Sequence, residues 1–194
     1  MFEFKKILVI LFLFIFSCGG KKGSLNPKTP WEDSLAQYFD DSVDYTLNPQ
    51  SLSGEWLNKY QEQLGVRIAR SEYILGIKVT SVTKKVGEEG RECKDIFGQV
   101  KARVKGEWSG DSVTLHVCDD SAGFDSFKED DSRLFDRVFI AFLKLYNNKE
   151  GAVGIHWHLS PLSKGLKEGM DNLMKTPGEE EKKTSESKSV VEQK

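Results

Sequence analysis

Alternation of apolar and polar residues between positions 73 and 159 is the feature that most restricts what this chain can fold into. Successive side chains of a strand point to opposite faces, so a period of two predicts strands with one buried face. The turn sequences "VGEEG" and "SGD" at 109–111 separate these stretches and indicate hairpins. Five strands are predicted, over residues 73–80, 96–108, 113–118, 138–146 and 153–159. The fourth is apolar almost throughout, which predicts a central strand.

A helical period precedes the strands. Apolar residues recur at helical spacing over residues 52–64, where Ser51 or Ser53 is the candidate cap and Gly65 is the expected stop. Residues 32–48 predict a short helix and an extended piece. The strands are therefore preceded by one or two helices.

A second helical pattern follows the last strand. Ser160 and Pro161 predict a cap and a first helical residue. The apolar face of this amphipathic helix comprises Leu162, Leu166, Met170 and Leu173. The element order predicts an α+β, β-rich fold in which about five mainly antiparallel strands form a sheet or a small barrel.

The strand pattern also resembles a known family. A glycine-containing strand at 74–83 is followed by "VKGEW", "SVTLHV", a cysteine and the apolar "RVFIAFLKLY". This order is similar to the netrin and metalloproteinase-inhibitor type of oligosaccharide/oligonucleotide-binding (OB) barrel, over roughly residues 70–160. The inhibitors of this family reach a catalytic zinc with an amino-terminal cysteine, which in this chain would lie far from the barrel. The resemblance therefore implies an OB-like barrel but no inhibitory residue.

The amino terminus has the layout of a secretory signal. Lys5 and Lys6 precede ten uninterrupted apolar residues at 7–16. As a helix this run is about 15 Å long, half of the ~30 Å hydrocarbon core of a bilayer, and is too short to remain as a span. A basic start followed by a short apolar region predicts a signal peptide over residues 1–17.

The sequence "IFSC" at 15–18 resembles the lipobox of bacterial lipoproteins. The resemblance implies that the Cys18 thiol is diacylated, carrying fatty acids such as palmitate, and that cleavage makes it the first mature residue. Two acyl chains give stable membrane anchoring. Gly19 follows the cysteine where an aspartate would indicate retention, which by analogy implies the outer membrane of the bacterial cell envelope. The alternative is an ordinary cleaved signal in which Cys18 is unmodified.

Composition divides the mature chain into three parts. Residues 18–30 are rich in Gly, Lys, Ser and Pro and predict a lipidated flexible tether. Residues 176–194 are charged and lack aromatic residues, which predicts a disordered tail. A single globular domain is expected over residues 31–175. The net charge of −2 gives no argument for nucleic acid as a partner.

Two cysteines, Cys93 and Cys118, remain after lipidation of Cys18. An even number of cysteines in an exported chain favours a disulfide. A hairpin turn near residue 110 would set Cys118 opposite about residue 102, so a bond to Cys93 requires the preceding segment to fold back. The alternative is that Cys118 ligates a metal.

The three histidines suggest a metal site. His156 and His158 share one face of a predicted strand, and His116 shares the outward face of another strand with Cys118. Imidazole nitrogens with Cys118, Asp119 or Asp120 would provide the four ligands that zinc prefers. The competing interpretation is that these are half-exposed polar positions on unrelated strands.

The loop at 119–131 contains six acidic residues, which could supply oxygen ligands to calcium. Phe124 and Phe127 interrupt the acids, however, and no spaced calcium-binding pattern is present. A solvated loop that folds onto the domain through the two phenylalanines is the favoured interpretation.

Sequence motifs give no positive argument for catalysis. The chain contains no G-x-S-x-G elbow, no H-E-x-x-H and no glycine-rich phosphate loop. We therefore expect a non-enzymatic binding or interaction module of the cell envelope without a cofactor, whose partner would be an envelope protein or glycan. A zinc-binding lipoprotein that uses His156 and His158 is the alternative.

Overall fold

The computed structural model describes residues 25–44, 49–87, 90–127, 131–135 and 137–175. Cys18, the predicted signal peptide and the predicted tail lie outside these residues. The described elements are β1 (Ser42–Val43), α1 (Gly54–Arg70), β2 (Tyr73–Val86), β3 (Glu92–Lys105), β4 (Ser112–Cys118), β5 (Val138–Asn147), β6 (Val153–Pro161) and α2 (Lys164–Lys175). Short 3₁₀ helices lie at Asp33–Leu35, Pro49–Ser51, Phe124–Phe127 and Asp131–Leu134. Neither described α-helix has the length and apolar character that crossing a bilayer requires.

The strands form one sheet in the order β1-β6-β5-β2-β3-β4. Every pair is antiparallel except β1, which runs parallel to β6. The sheet curls into a half-barrel, and the indole Nε1 of Trp157 on β6 donates a 3.0 Å hydrogen bond to the carbonyl oxygen of His116 on β4. The predicted α+β, β-rich fold with mainly antiparallel strands is therefore confirmed, and β1 adds a sixth strand within the region predicted as extended.

The concave side of the curl holds the larger core. Alternate residues of each strand point inward, as the period of two predicts. Phe124 and Phe127 close this core from the 119–127 segment, and both are almost fully buried. The inward side chains include Leu75, Ile77, Ile96, Leu115, Val117, Leu143, Trp157 and Leu159. The prediction that the two phenylalanines fold the acidic loop onto the domain is confirmed for this part of the loop.

The convex side of the sheet is covered by both α-helices. Ile74 and Phe142 of the sheet pack in one cluster with Leu64 of α1 and with Leu166 and Met170 of α2. β5 contributes buried residues to both cores, which confirms its prediction as a central strand. The convex face next to the helices is also where the even-numbered residues of β6 lie, including His156 and His158.

Both helix boundaries differ from those predicted. α1 continues through Gly65 to Arg70, because Arg67 and Ile68 in its last turn are buried against the domain. Burial of these side chains outweighs the roughly 1 kcal/mol that glycine costs inside a helix. Ser160 and Pro161 belong to β6, and α2 begins two residues beyond Leu162.

The predicted β3–β4 hairpin register is wrong. Gln99 pairs with Ser112, which sets Cys93 directly opposite Cys118. The turn does not lie near residue 110. β3 continues past the end of β4, and this last part of β3 pairs with β2 as far as Lys105. The connection is therefore longer than a tight turn, and no separate segment has to fold back to bring the two cysteines together.

The packed domain begins before residue 31. Leu25 packs against the concave core, and Lys144 donates a 2.9 Å hydrogen bond to the carbonyl oxygen of Thr29. The described part of the predicted tether, residues 25–30, is thus attached to the domain. Residues 18–24 lie outside the described part of the chain.

Candidate functional site

Each histidine lies within hydrogen-bonding distance of an aspartate. The Nδ1 atoms of His116, His156 and His158 lie 2.8, 2.9 and 2.9 Å from carboxylate oxygens. The partners are Asp95, Asp41 and Asp40, respectively. An ionised carboxylate can only accept, so each ring presents its Nδ1–H to the carboxylate and keeps Nε2 for another contact.

His158 is buried beneath α1. Its side chain is only 4% exposed, and its Nδ1 also lies 3.4 Å from the Ser42 hydroxyl. The Nε2 atom is buried and, within the described part of the chain, has no hydrogen-bond partner. A buried polar atom without a partner lowers the free energy of unfolding by about 1–3 kcal/mol, so the unpaired Nε2 destabilises the fold. This cost makes His158 the strongest candidate for contact with a ligand.

The protonation states around His158 follow from burial and pairing. Burial lowers the pKa of His158 below 6.5, against the raising effect of its bond with Asp40. Burial raises the pKa of Asp40, but the hydrogen bonds of His158 and Ser42 and the His158 charge outweigh this and leave it below 3.8. At neutral pH the pair is therefore an aspartate and an uncharged imidazole, and Nε2 is a hydrogen-bond acceptor.

An open pocket of about 360 Å³ lies between α1 and the β1–β6 edge of the sheet, and His158 is part of its wall. Trp56, which is 74% exposed, and Tyr60 supply aromatic surface from α1. Asp40 and Arg67 supply charge. Aromatic surface combined with a few convergent polar groups is the usual composition of a ligand pocket.

Arg67 and Tyr60 provide donors to this pocket. Arg67 is buried and donates from Nε to the carbonyl oxygen of Tyr38 at 3.0 Å. Burial lowers its pKa, which the carboxylates of Asp40 and Asp44 oppose. Burial and the charge of Asp44 raise the pKa of Tyr60 to about 12, so its phenol stays protonated. The pocket, defined here as the His158 pocket, thus offers both donors and acceptors.

A second open pocket, of about 440 Å³, lies on the convex side where β4 approaches β6. His116 and Cys118 of β4 line it together with Tyr146, His156 and Asp41. We refer to it as the seam groove. It is the place where the structure brings two of the three predicted metal ligands, His116 and His156, to one surface.

His156 is held rigidly at the seam groove. Its ring lies between those of Trp31 and Tyr146, with both centroid distances 4.3 Å. Asp41 accepts from the Trp157 backbone N–H at 3.0 Å and binds His156 at 2.9 Å. Burial raises the pKa of Asp41, against the lowering effect of these hydrogen bonds. Asp41 has φ 54°, a left-handed conformation that aspartate tolerates better than most residues.

The predicted zinc ligands do not assemble as expected. Among the described residues, the one group of three potential ligands within 4.8 Å of each other is Cys93, His116 and Cys118, without His156 or His158. Cys93 and Cys118 form a disulfide, so their sulfurs are not available as thiolates. The acids of the 119–127 segment also form no such group, and Asp120 pairs with Arg91 instead.

Sequence reasoning singled out the histidines and cysteines but missed their carboxylate partners. Asp40 and Asp41 lie more than a hundred positions before His156 and His158, so no local spacing connects them. The signal that was available is the adjacent acid pair itself, placed just before a two-residue strand. Arg67 was not recognised as a candidate residue, because the helix that carries it was predicted to end at Gly65.

No protein-family model matches this chain, and no curated protein or solved structure matches it.

Proposed function

We propose that this protein is a bacterial lipoprotein, anchored in the cell envelope by diacylated Cys18, whose domain is a non-enzymatic binding module. The observation that carries the proposal is the "IFSC" sequence directly after the ten apolar residues at 7–16. A run of this length suits a signal peptide and is too short for a permanent span. The residue after Cys18 is glycine, which favours delivery to the outer membrane.

Two features of the domain support export and anchoring. Disulfides persist in oxidising compartments outside the cytosol, and the domain contains the Cys93–Cys118 disulfide. Leu25, the first described residue, is packed against the core, so the segment from Cys18 to Leu25 spans at most about 25 Å when extended. Such a short connection would hold the domain close to the membrane surface and raise its effective concentration toward ligands there.

The proposed ligand is an envelope glycan bound in the His158 pocket. Sugar hydroxyls both donate and accept, and the pocket wall contains an acceptor in Asp40 and donors in Arg67 and Tyr60. The exposed ring of Trp56 would stack on the apolar face of a sugar. A ligand hydroxyl would also give the buried Nε2 of His158 the partner that it lacks in the described structure.

Metabolic labelling tests the anchoring part of the proposal. Full-length protein expressed in bacteria fed labelled palmitate should carry the label and partition into detergent. Cys18→Ala should lose both properties. The matched control is the Cys93→Ala/Cys118→Ala double variant, which removes the other two cysteines and should keep the label. Unlabelled wild-type protein, or a labelled Cys18→Ala variant, would contradict the proposal.

Zinc binding is the second candidate function, and one observation favours it. His158 has a carboxylate on Nδ1 and an unpaired Nε2, the arrangement in which metal-ligating histidines are held, but it is not part of the one group of three potential ligands among the described residues. Metal analysis of untagged protein separates the candidates. Stoichiometric zinc that is lost in His158→Ala, while His116→Ala retains it, would favour the metal site over the glycan site.

A further inference from the structure

The Cys93–Cys118 disulfide lies beside a histidine that is itself held by an acid. The Nε2 atom of His116 is 3.1 Å from the Sγ atom of Cys118, and its Nδ1 is 2.8 Å from Asp95. A carboxylate, an imidazole and a sulfur therefore lie in sequence on the convex face of β3 and β4. The same order of groups activates cysteine nucleophiles, where the acid orients the imidazole and the imidazole takes the thiol proton.

Asp95 is held in the state that this role requires. Its side chain is 8% exposed, and it forms an ion pair with Lys85 as well as with His116. Burial raises the pKa of Asp95, but the hydrogen bonds and charges of Lys85 and His116 outweigh this and lower it. An ionised Asp95 keeps the His116 proton on Nδ1 and leaves Nε2 directed at the sulfur of Cys118.

The two sulfurs differ in access. Cys93 is 1% exposed, and the backbone of Gly87 covers its sulfur so closely that a Cβ atom added to Gly87 would lie 2.7 Å from the Cys93 Sγ. Cys118 is half-buried and lines the seam groove together with His116. An incoming group can therefore reach Cys118 more easily than Cys93. The less buried of the two cysteines is also the one whose sulfur His116 contacts.

Several charged or titratable groups face Cys118 besides His116. Asp41, Asp120, Tyr146 and His156 line the same groove. Asp120 is paired with Arg91 and Asp41 with His156, which reduces their effect on a thiolate. His116, with 58% of its side chain exposed, is the one in hydrogen-bonding contact with the sulfur.

We propose that Cys118 is a thiol–disulfide exchange site whose partner is a dithiol or disulfide of the cell envelope, with Cys93 as the resolving cysteine and His116 as the proton acceptor. This activity goes beyond the binding function proposed above. The location of the partner in the cell envelope rests on the export proposed above, but the exchange chemistry at Cys118 requires neither the lipid anchor nor the His158 pocket, so each can fail without the other.

Electrons and protons balance with a dithiol as the reductant. Its first thiolate bonds to the Cys118 sulfur and breaks the disulfide, so that the electron pair leaves on Cys93. Its second thiolate then bonds to its own first sulfur and expels Cys118 as a thiolate. Of the two protons released, one goes to the Cys93 sulfur and the other to Nε2 of His116. The dithiol is oxidised to a disulfide by two electrons. In the reverse direction a partner disulfide accepts two electrons from reduced Cys93 and Cys118, so that the partner leaves as a dithiol and the Cys93–Cys118 disulfide forms again.

Alkylation of the reduced full-length chain tests the role of His116. We expect the iodoacetamide rate at Cys118, followed by peptide mass spectrometry across pH, to titrate at least about one pH unit below the ~8.5 of a free cysteine. His116→Ala should remove this shift and slow alkylation at pH 6.5 about tenfold, while Ser121→Ala, which changes an uncharged residue of the same groove, leaves the rate unchanged. Titration near 8.5 in wild type, or no change in His116→Ala, would overturn the proposal.

Two variants that each keep one of the two domain cysteines test access independently of His116. With glutathione disulfide as the probe, Cys93→Ala should form a mixed disulfide at Cys118 at least about tenfold faster than Cys118→Ala forms one at Cys93. Unfolding curves recorded on both variants show that the comparison is made between folded proteins. Equal rates in two folded variants would contradict the assignment of Cys118 as the exchanging sulfur.

Discussion

The indole N–H of Trp157 donates to the carbonyl oxygen of His116 at 3.0 Å, which ties β6 to β4 where the curled sheet approaches closure. Trp157 has no exposed surface, and its ring meets that of Phe127 edge to face at a centroid distance of 5.8 Å. One side chain thus joins the core, the seam groove and the disulfide-bearing strand.

Trp157→Phe tests this connection. The variant keeps an aromatic ring but loses the donor and some volume, so we expect a loss of about 2–4 kcal/mol in the free energy of unfolding. Urea unfolding measures the loss. Trp56→Phe, at an exposed position, is the matched control and should change stability by at most about 0.5 kcal/mol. Similar losses in both variants would contradict the central position of Trp157.

A buried ion pair fixes the amino-terminal segment to the sheet. The Nζ atom of Lys144 lies 2.6 Å from the Oε1 atom of Glu72, and both side chains are almost fully buried. Lys144 also donates to Thr29, while Glu72 accepts from the backbone N–H of Leu145. The Lys144 ammonium and the Glu72 carboxylate therefore each form a hydrogen bond in addition to their ion pair.

Lys144→Met should destabilise the domain by about 3–5 kcal/mol, because it leaves the Glu72 carboxylate buried without its cation. The Lys144→Met/Glu72→Gln double variant should recover part of this loss. Chemical denaturation measures the free energy of unfolding of the single and double variants. The control is Lys164→Met, which removes the cation of the exposed Lys164–Glu168 pair. A loss for Lys144→Met no larger than that of the control would contradict this account.

Most of the β-sheet was predictable, because alternation reports directly on which face of a strand is buried. The almost entirely apolar run that became β5, interrupted by Lys144, correctly indicated a central strand. Register was not predictable from the turn alone, because β3 pairs with two neighbours over different parts of its length. Irregularities in the β2–β3 pairing, such as that between Val79 and Ser81, shift the register further.

The candidate sites were predictable only in part. The parity of the strands placed His116 and Cys118 on one face, as the structure has them. It could not indicate that Asp95 and Cys93 on β3 lie opposite them, because the predicted hairpin register was wrong. Contacts such as that between Asp40 and His158 join segments far apart in the sequence, and only tertiary packing creates them.

His158 should make stability depend on pH. Because its pKa is lowered in the folded state, the unfolded chain binds the proton more readily. Its contribution to stability is therefore fully present above about pH 6.5 and is lost as pH falls below that value toward the folded-state pKa. Asp40, Asp44 and Arg67 are the charged groups that face it.

The measurement is the free energy of unfolding from pH 8 to pH 5 in wild type and His158→Asn. We expect stability to fall with pH in wild type, and a shallower slope in the variant, whose amide can still bond Asp40 but does not titrate. His116→Asn is the control at an exposed histidine. Identical slopes in wild type and His158→Asn would show that His158 does not titrate with folding.

Trp56→Ala should weaken glycan binding without affecting the fold. Truncating a tryptophan that a binding partner covers commonly costs about 2 kcal/mol, so binding of soluble peptidoglycan or lipopolysaccharide fragments should weaken at least about tenfold. Calorimetric titration measures the affinities. Leu162→Ala, another exposed apolar position, is the control. Equal affinities for wild type and Trp56→Ala would contradict the assignment of the pocket.

Mass spectrometry of the amino-terminal peptide from membrane fractions determines whether Cys18 is the lipidated first residue of the mature protein, as we propose. We expect a peptide that begins at Cys18 and carries a diacylglyceryl group on its sulfur. A mature chain that begins elsewhere, or a Cys18 of unmodified mass, would contradict it.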